Sequence, residues 1–204
     1  LAAAARQVGD HLRVLTGLPR PDRWAEVRPP AYDDLLDRAA RLAPYVVVDT
    51  GFSLERDPAD PYGAPAPQRN LMTLAAVDRA DEVVVVGAAD PVGLARLARG
   101  LVELRDLLPD VRPRVVVNRT RATLGWRDKE IHGMVEGFLQ PLDVHFLPDD
   151  RAAADRALMA GQSLAESGES ALRDAMTRLA AGLLGEPPAT RGRGLRRRRA
   201  GRAR

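Results

Sequence analysis

The chain contains one run, Tyr45-Val46-Val47-Val48-Asp49-Thr50-Gly51, from which its architecture can be predicted. Three consecutive β-branched valines pack well in a strand that is covered on both faces, as strands of parallel sheets are. The run ends in a carboxylate, a hydroxyl and a glycine. This ending predicts that Asp49 lies at the carboxyl edge of a sheet, where open α/β folds bind their ligands. The alternative is a strand that simply ends in an Asp-Thr-Gly turn.

Apolar runs predict further strands over residues 82–87, 114–118 and 143–147, each followed by a helical pattern. Alternating strands and helices are typical of a parallel sheet with right-handed crossovers. We therefore predict an α/β fold: a doubly wound, mostly parallel sheet with helices on both faces. The predicted helices cover residues 32–42, 71–77, 91–108, 129–139, 151–159 and 169–184, with Asn70 and Asp90 as helix caps. Residues 2–15 predict the end of a helix and then a short strand over 11–15.

The composition divides the chain into a domain and a tail. We predict one α/β domain over residues 1–185 and a disordered Arg-rich tail over 186–204. Eight arginines and no acid lie between Arg191 and Arg204, so the domain is mildly acidic although the net charge is +3. This pattern indicates a globular domain with an electrostatic appendage rather than a nucleic-acid-binding fold. The tail is either functionally idle or contacts an anionic membrane or nucleic acid.

Cysteine is absent from the 204 residues, which excludes disulfides and thiolate metal sites and fits a cytoplasmic protein. The sequence contains neither a signal peptide nor an apolar run long enough to span a membrane. His11, His132 and His145 lack the spacing of metal ligands. Trp24 and Trp126 lie in loop-like, Arg-rich sequence, where they either cover apolar edges or contact a partner.

Polar side chains follow all four predicted strands. They lie in the segments 49–51, 87–90, 118–119 and 147–150. Because the carboxyl ends of parallel strands meet at one edge of a sheet, we expect these groups to converge. One such residue would be an ordinary cap, but several in this order predict a nucleotide site.

The order of these segments resembles the MinD/ParA group of P-loop ATPases, and within it the CpaE-like proteins linked to pilus assembly and polar localisation. The similarity extends from about Leu12 to Leu184. The segments that carry it are Leu12–Gly17, Val46–Thr50, Ala80–Val86, Val115–Arg119 and Phe146–Asp150.

The resemblance implies a binding site for ATP and Mg²⁺. Asp49 would be the catalytic Walker B carboxylate that organises the magnesium shell. Asn118 would hydrogen-bond the adenine edge with Arg119 beside the base, and Pro148, Asp149 and Asp150 would line the other side of the base pocket. Related GTPases place an aspartate three positions after such an asparagine. This chain has Arg121 there, which favours adenine over guanine.

The chain departs from the family at the phosphate loop. It has no glycine-rich turn ending in Gly-Lys-Thr, and its single lysine, Lys129, follows the strand at 114–118. The family places that loop ahead of the segment matched by Leu12, so we expect the chain to be cut from a longer protein and to be inactive alone. The family usually has Asp-Thr-Pro-Pro-Gly where this chain has Asp49-Thr50-Gly51-Phe52.

The function that the resemblance implies is a nucleotide-switched positioning or partitioning ATPase. It would form a homodimer around ATP, act with protein partners of a positioning or pilus system, and work in the cytoplasm or at the inner membrane face. Two alternatives stay open: a degenerate, non-hydrolysing scaffold of the same fold, and an amidoligase-like P-loop enzyme. The residues ahead of Leu1 would distinguish them.

Overall fold

The computed structural model describes residues 3–56 and 68–185, in which strands and helices alternate from β3 onward. The strands are β1 (Arg6–Val8), β2 (Leu12–Val14), β3 (Val84–Ala88), β4 (Arg114–Thr120) and β5 (Asp143–Pro148). The helices are α1 (Pro29–Leu42), α2 (Leu71–Arg79), α3 (Pro91–Leu107), α4 (Asp128–Phe138), α5 (Arg151–Met159) and α6 (Ala171–Leu183). Short 3₁₀ turns cover Pro21–Glu26 and Ala122–Leu124.

Three of these strands form a parallel sheet in the order β3-β4-β5. In its register Val86 lies opposite Val116, and Val116 lies opposite His145. The sheet confirms the strands predicted at 82–87, 114–118 and 143–147, and the predicted helices all form with small shifts at their ends. An α/β architecture built on a parallel sheet is therefore confirmed.

The central strand β4 separates two apolar clusters because successive side chains of a strand point to opposite faces. Val115 and Val117 lie in one cluster with Leu101 of α3 and Val135 of α4. On the other face, the buried cluster is Val116, Leu147 and Ala175, the last from α6. Helices therefore cover both faces of the sheet at β4.

The predicted strand over residues 45–49 is wrong. Residues 45–50 form no regular element and are all exposed, and the Val47 side chain is 94% exposed. A β-branched run becomes a strand only where a neighbouring strand accepts its hydrogen bonds, so its propensity depends on tertiary context. No described strand pairs with this run, and the sheet ends at β3.

The amino-terminal prediction is corrected as well. Residues 6–8 form a strand rather than the end of a helix, and β1 pairs antiparallel with β2 so that Val8 lies opposite Leu12. The connection contains Gly9, which has a φ of 70°. Glycine adopts this left-handed conformation without steric cost, which lets the chain turn back here.

Two predictions fall on residues outside the described ranges. They are the disorder of the tail over 186–204, including Arg191–Arg204, and the middle of the segment 51–69, whose prolines and glycines predict a long loop. Within the described ranges, every helix is too short or too polar to cross a membrane.

A charged cluster joins the amino-terminal side of the sheet. Arg114, nearly buried at the start of β4, donates from Nε to Glu82 Oε2 at 2.8 Å and also hydrogen-bonds Asp143 at the start of β5. The hydrogen bond with Glu82 is the main cause that raises the pKa of Arg114. A buried guanidinium needs such partners, because an unpaired charge in the interior is strongly destabilising.

The start of α3 packs tightly on the end of β3. Asp90 caps the helix, since its Oδ1 accepts from the backbone N–H groups of Val92 at 3.1 Å and Gly93 at 2.9 Å. A Cβ placed on Gly93 would lie 2.4 Å from the carbonyl oxygen of Ala88. Glycine at 93 therefore permits the close approach of helix and strand.

We expect Gly93→Ala to lower the free energy of unfolding by about 1–3 kcal/mol or more, because the added methyl group would overlap the backbone of β3. Urea denaturation measures the loss. Gly100→Ala in the same helix is the matched control, since nothing lies within 4 Å of its added Cβ. That control should be neutral or stabilising by up to about 1 kcal/mol. Equal effects at the two positions would contradict the packing argument.

Candidate ligand site at the carboxyl edge of the sheet

The carboxyl ends of β3, β4 and β5 are joined by backbone hydrogen bonds. The N–H of Ala89 donates to the carbonyl of Asn118 at 2.8 Å, and the N–H of Asp149 donates to the carbonyl of Thr120 at 3.0 Å. Three of the four predicted polar strand ends therefore share one edge of the sheet. Asn118, Arg119, Pro148, Asp149 and Asp150 all lie in this region.

The backbone of β4 is irregular near its carboxyl end. Arg119 has a φ of 60°, the left-handed region, and it is the only non-glycine residue with positive φ in the described part of the chain. Its N–H donates to Oδ1 of Asn118 at 2.8 Å. The pairing of β4 with β5 is also irregular between Val117 and Thr120. Local strain and bulges of this kind are concentrated next to functional sites.

The β5 side of the edge is fixed by two aspartates. Asp149 pairs with Arg121 at 3.4 Å between Oδ2 and Nη1, and the Thr120 hydroxyl donates to the carbonyl of Leu147 at 3.2 Å. Asp150 caps α5, because its Oδ1 accepts from the N–H of Ala153 at 3.1 Å. Pro148, half-buried, ends the strand.

Asp49 does not lie at the end of a strand. It is exposed, and the chain beyond it runs along the start of α2, where a Cβ on Gly51 would lie 3.4 Å from the Thr73 hydroxyl. Asn70 occupies the N-cap position of α2 but does not cap it with its side chain. Its Nδ2 donates instead to Ser53 Oγ at 3.0 Å and to the carbonyl of Glu55 at 2.9 Å.

A magnesium ion fits Asp49 only in the presence of other ligands. The described residues contain no group of three or more acidic or histidine side chains that could hold a metal ion. Mg²⁺ bound with a nucleotide commonly uses one or two carboxylates, with phosphate and water oxygens completing its shell. A single exposed carboxylate is therefore not a metal site by itself, and an ion held by Asp49 would need nucleotide and water oxygens as its other ligands.

A cavity of about 200 Å³ opens beside the ends of β3 and β4. It combines an aromatic ring, apolar side chains and three polar groups. Its lining residues are Ala89, Thr120, Arg121, Ala122, Leu124, Trp126, Asp128 and Ile131. This mixture is typical of small-molecule sites, in which a few polar groups orient a ligand within apolar walls.

The cavity includes residues that the sequence does not assign to a site. The sequence predicts that Trp126 covers an apolar edge or contacts a partner, and it singles out neither Thr120 nor Asp128. The signal that could have found them is the position of Gly125-Trp126 between a strand end and the start of a helix. Connections after parallel strands carry ligand-binding residues in open α/β folds.

Hydrogen bonds at the start of α4 hold the segment that carries Trp126. Glu130 Oε2 accepts from the N–H of Arg127 at 2.8 Å, and Glu130 Oε1 accepts from the guanidinium at 3.3 Å. These bonds lower the pKa of Glu130, with the backbone bond as the largest cause. Gly125, with a φ of 75°, makes the preceding turn.

A larger cavity, of about 310 Å³, lies at the opposite end of α3 and α4. Its walls include Arg105, Arg112, Phe138 and Gln140. These residues lie near the carboxyl ends of the two helices, and therefore away from the carboxyl edge of the sheet. This second cavity provides an internal control for any binding measurement at the strand ends.

Compared with known proteins, the chain matches no family model, no curated protein and no solved structure. Its class is therefore defined by what it contains: an α/β protein with a small, aromatic-walled cavity at the carboxyl edge of a parallel sheet. The resemblance to MinD/ParA ATPases stays a prediction.

We expect the Glu130 carboxyl to titrate below the ordinary glutamate pKa of 4.5. A folded-state pKa below the unfolded value means that the bonds at Glu130 stabilise the protein fully above the unfolded pKa. This stabilisation is lost as the pH falls through the folded pKa. Carboxyl carbon chemical shifts measured against pH test the prediction. Arg127→Ala should remove only the smaller, side-chain part of the shift, because the backbone N–H remains. An ordinary pKa in the unaltered protein would contradict this description of the helix start.

Proposed function

We propose that this chain provides the base-binding side of a nucleotide-switched positioning ATPase of the MinD/ParA type, which binds ATP with Mg²⁺ and dimerises. One observation supports the proposal above the others: three adjacent parallel strands end together beside an aromatic-walled cavity. Nucleotides bind at this edge in doubly wound α/β folds, and the full doubly wound sheet is part of the proposal.

In this proposal the chain orients the nucleotide by its base. Asn118, Arg119 and Pro148 lie at the ends of β4 and β5, and Asp149 and Asp150 follow them into α5. When bound, the magnesium ion would neutralise charge on the phosphates, with Asp49 as its protein ligand. In this proposal, the residues of this chain bind and orient the nucleotide and do not take part in bond cleavage.

A scaffold of the same fold is the second candidate. One observation favours it: the edge of β3 away from β4 has no described strand beside it, which leaves that edge available for protein contacts. Such a scaffold would retain the α/β fold for protein contacts and would bind no nucleotide. In either case, we propose that a positioning or pilus system supplies the protein partners. Arg191–Arg204 would add an electrostatic contact with an anionic membrane or nucleic acid, weakened by salt.

We expect the 204-residue chain to release no phosphate from ATP above the rate of the buffer. Phosphoryl transfer depends on positive groups that stabilise the charge of the transferring phosphate, and a phosphate loop with its lysine supplies most of them. A phosphate-release assay with Mg²⁺ measures turnover. Turnover that persists through repurification of the chain would contradict the prediction.

Binding of ATP can be located without turnover. We expect millimolar ATP with Mg²⁺ to shift backbone amide resonances at residues 118–121 and 149–150, because the base would contact these strand ends. Two-dimensional NMR of the ¹⁵N-labelled chain makes this measurement. Residues 138–140 at the opposite cavity serve as the control and should not shift. Shifts confined to that control region, or none anywhere, would favour the scaffold over the ATPase.

A further inference from the structure

The cavity beside β3 and β4 is suited to one ring system rather than to a whole nucleotide. Its volume is about 200 Å³, whereas cavities that enclose drug-sized ligands commonly hold about 300–1,000 Å³. It opens at the strand ends, so sugar and phosphate groups attached to a ring could extend outward along the edge of the sheet. The size therefore selects a flat group at the inner end of a larger molecule.

The side chains around the cavity match a heteroaromatic ring with polar edges. Trp126 is 43% exposed while it lines the cavity, which leaves indole surface available for stacking. Leu124 and Ile131 provide apolar walls. Aromatic side chains bind nucleobases by stacking, and the stack contributes about 1–3 kcal/mol for each base.

Two charged side chains can form hydrogen bonds with the edge of such a ring. The Arg121 guanidinium carries more donors than its single bond to Asp149 uses, and it lines the cavity. Asp128 supplies carboxylate oxygens, and no side-chain hydrogen bond engages them within the described residues. Purines present ring-nitrogen or carbonyl acceptors and exocyclic amino donors, so one donor and one acceptor side chain complement them.

Asn118, by contrast, uses its amide oxygen locally, because Oδ1 accepts from the N–H of Arg119. It also lies outside the lining of the cavity. The charged groups that line the cavity, Arg121 and Asp128, therefore lie after the end of β4 and at the start of α4.

We propose that this cavity binds the base ring of a purine nucleotide, with Trp126 stacking on the ring and Arg121 and Asp128 contacting its edge. This inference rests on the proposed nucleotide function, and it assigns recognition of the base to residues that line the cavity in place of Asn118 and Arg119. Stacking on Trp126 needs no phosphate contacts. A nucleoside should therefore bind to the chain even where a phosphate loop is lacking.

The two tryptophans make the proposal directly measurable. Trp24→Phe leaves Trp126 as the only tryptophan in the chain. We expect adenosine at millimolar concentration to quench the fluorescence of this variant in a saturable way, guanosine to act similarly, and uridine to act more weakly because its single ring stacks over a smaller area. Equal quenching by uridine would overturn the assignment to purines.

A second measurement follows the ligand instead of the protein. Line broadening of the adenosine ring protons reports binding to any variant, with far-ultraviolet circular dichroism confirming that each variant is folded. Trp126→Ala should weaken adenosine binding by at least about fivefold, the low end of the stacking range. Trp126→Phe should retain part of the affinity, and Trp24→Phe should retain all of it. Asp128→Asn should alter the preference between adenosine and guanosine.

The outcomes separate this inference from the function on which it rests. If adenosine binds without changing Trp126 fluorescence, and binds the Trp126→Ala variant as tightly as the unaltered protein, the ring site is overturned. The nucleotide function is left intact by that result. The ring site is overturned in the same way if ATP with Mg²⁺ shifts the strand-end resonances while no nucleoside binds. If neither ATP nor a nucleoside binds to the folded chain, both proposals fail.

Discussion

The structure depends on the burial of β4 between two strands and two layers of helix. The valines of Val115–Val117 are each at most 1% exposed, and full burial of such a side chain contributes about 1.5–3 kcal/mol. Pairing with β4 places β3 and β5, and with them the strand ends where the cavity forms. At the amino end of β4, Arg114 is held by carboxylates from the neighbouring segments. At the other end, the positive φ of Arg119 coincides with an irregularity in the pairing of β4 with β5, just before the strand ends at Thr120. In α/β folds the buried centre of the sheet provides stability, and the irregular segments at the strand ends carry the binding site.

Local signals made much of the fold predictable. The helix α3 could be placed because Asp90 and Pro91 specify its start, and Asp90 does cap it. The strands β3, β4 and β5 were predictable because each valine-rich or apolar run has a partner in the sheet. The run at residues 45–49 carries an equally strong local signal but forms no strand. Strand propensity is a local property, and it does not show whether a neighbouring strand is present to pair with the run. The cavity was missed because its lining residues, Ala89 and a set between Thr120 and Ile131, come from separate stretches of the sequence and meet only in the fold.

The proposed nucleotide site has two parts, and only one of them lies on the sheet. In the proposal, the base side is the part that the sheet carries, because the ends of β4 and β5 lie beside each other and the cavity lies at the ends of β3 and β4. Asp49, from which the metal role was inferred, is exposed and is not carried by the sheet. Under the proposed function, recognition of the base and chemistry on the phosphate would therefore depend on different parts of the chain.

The edge of β3 away from β4, which pairs with no strand in the described part of the chain, has a consequence for handling the protein. Because the carbonyl of Val83 accepts from Arg114 of β4 and backbone groups alternate along a strand, the N–H and C=O groups of Val84 and Val86 point away from the sheet. The Val86 side chain is also 61% exposed. An apolar border with unsatisfied amides can template the addition of foreign strands, which is the usual beginning of aggregation. Concentrated preparations of this chain should therefore be limited by self-association along that border rather than by unfolding.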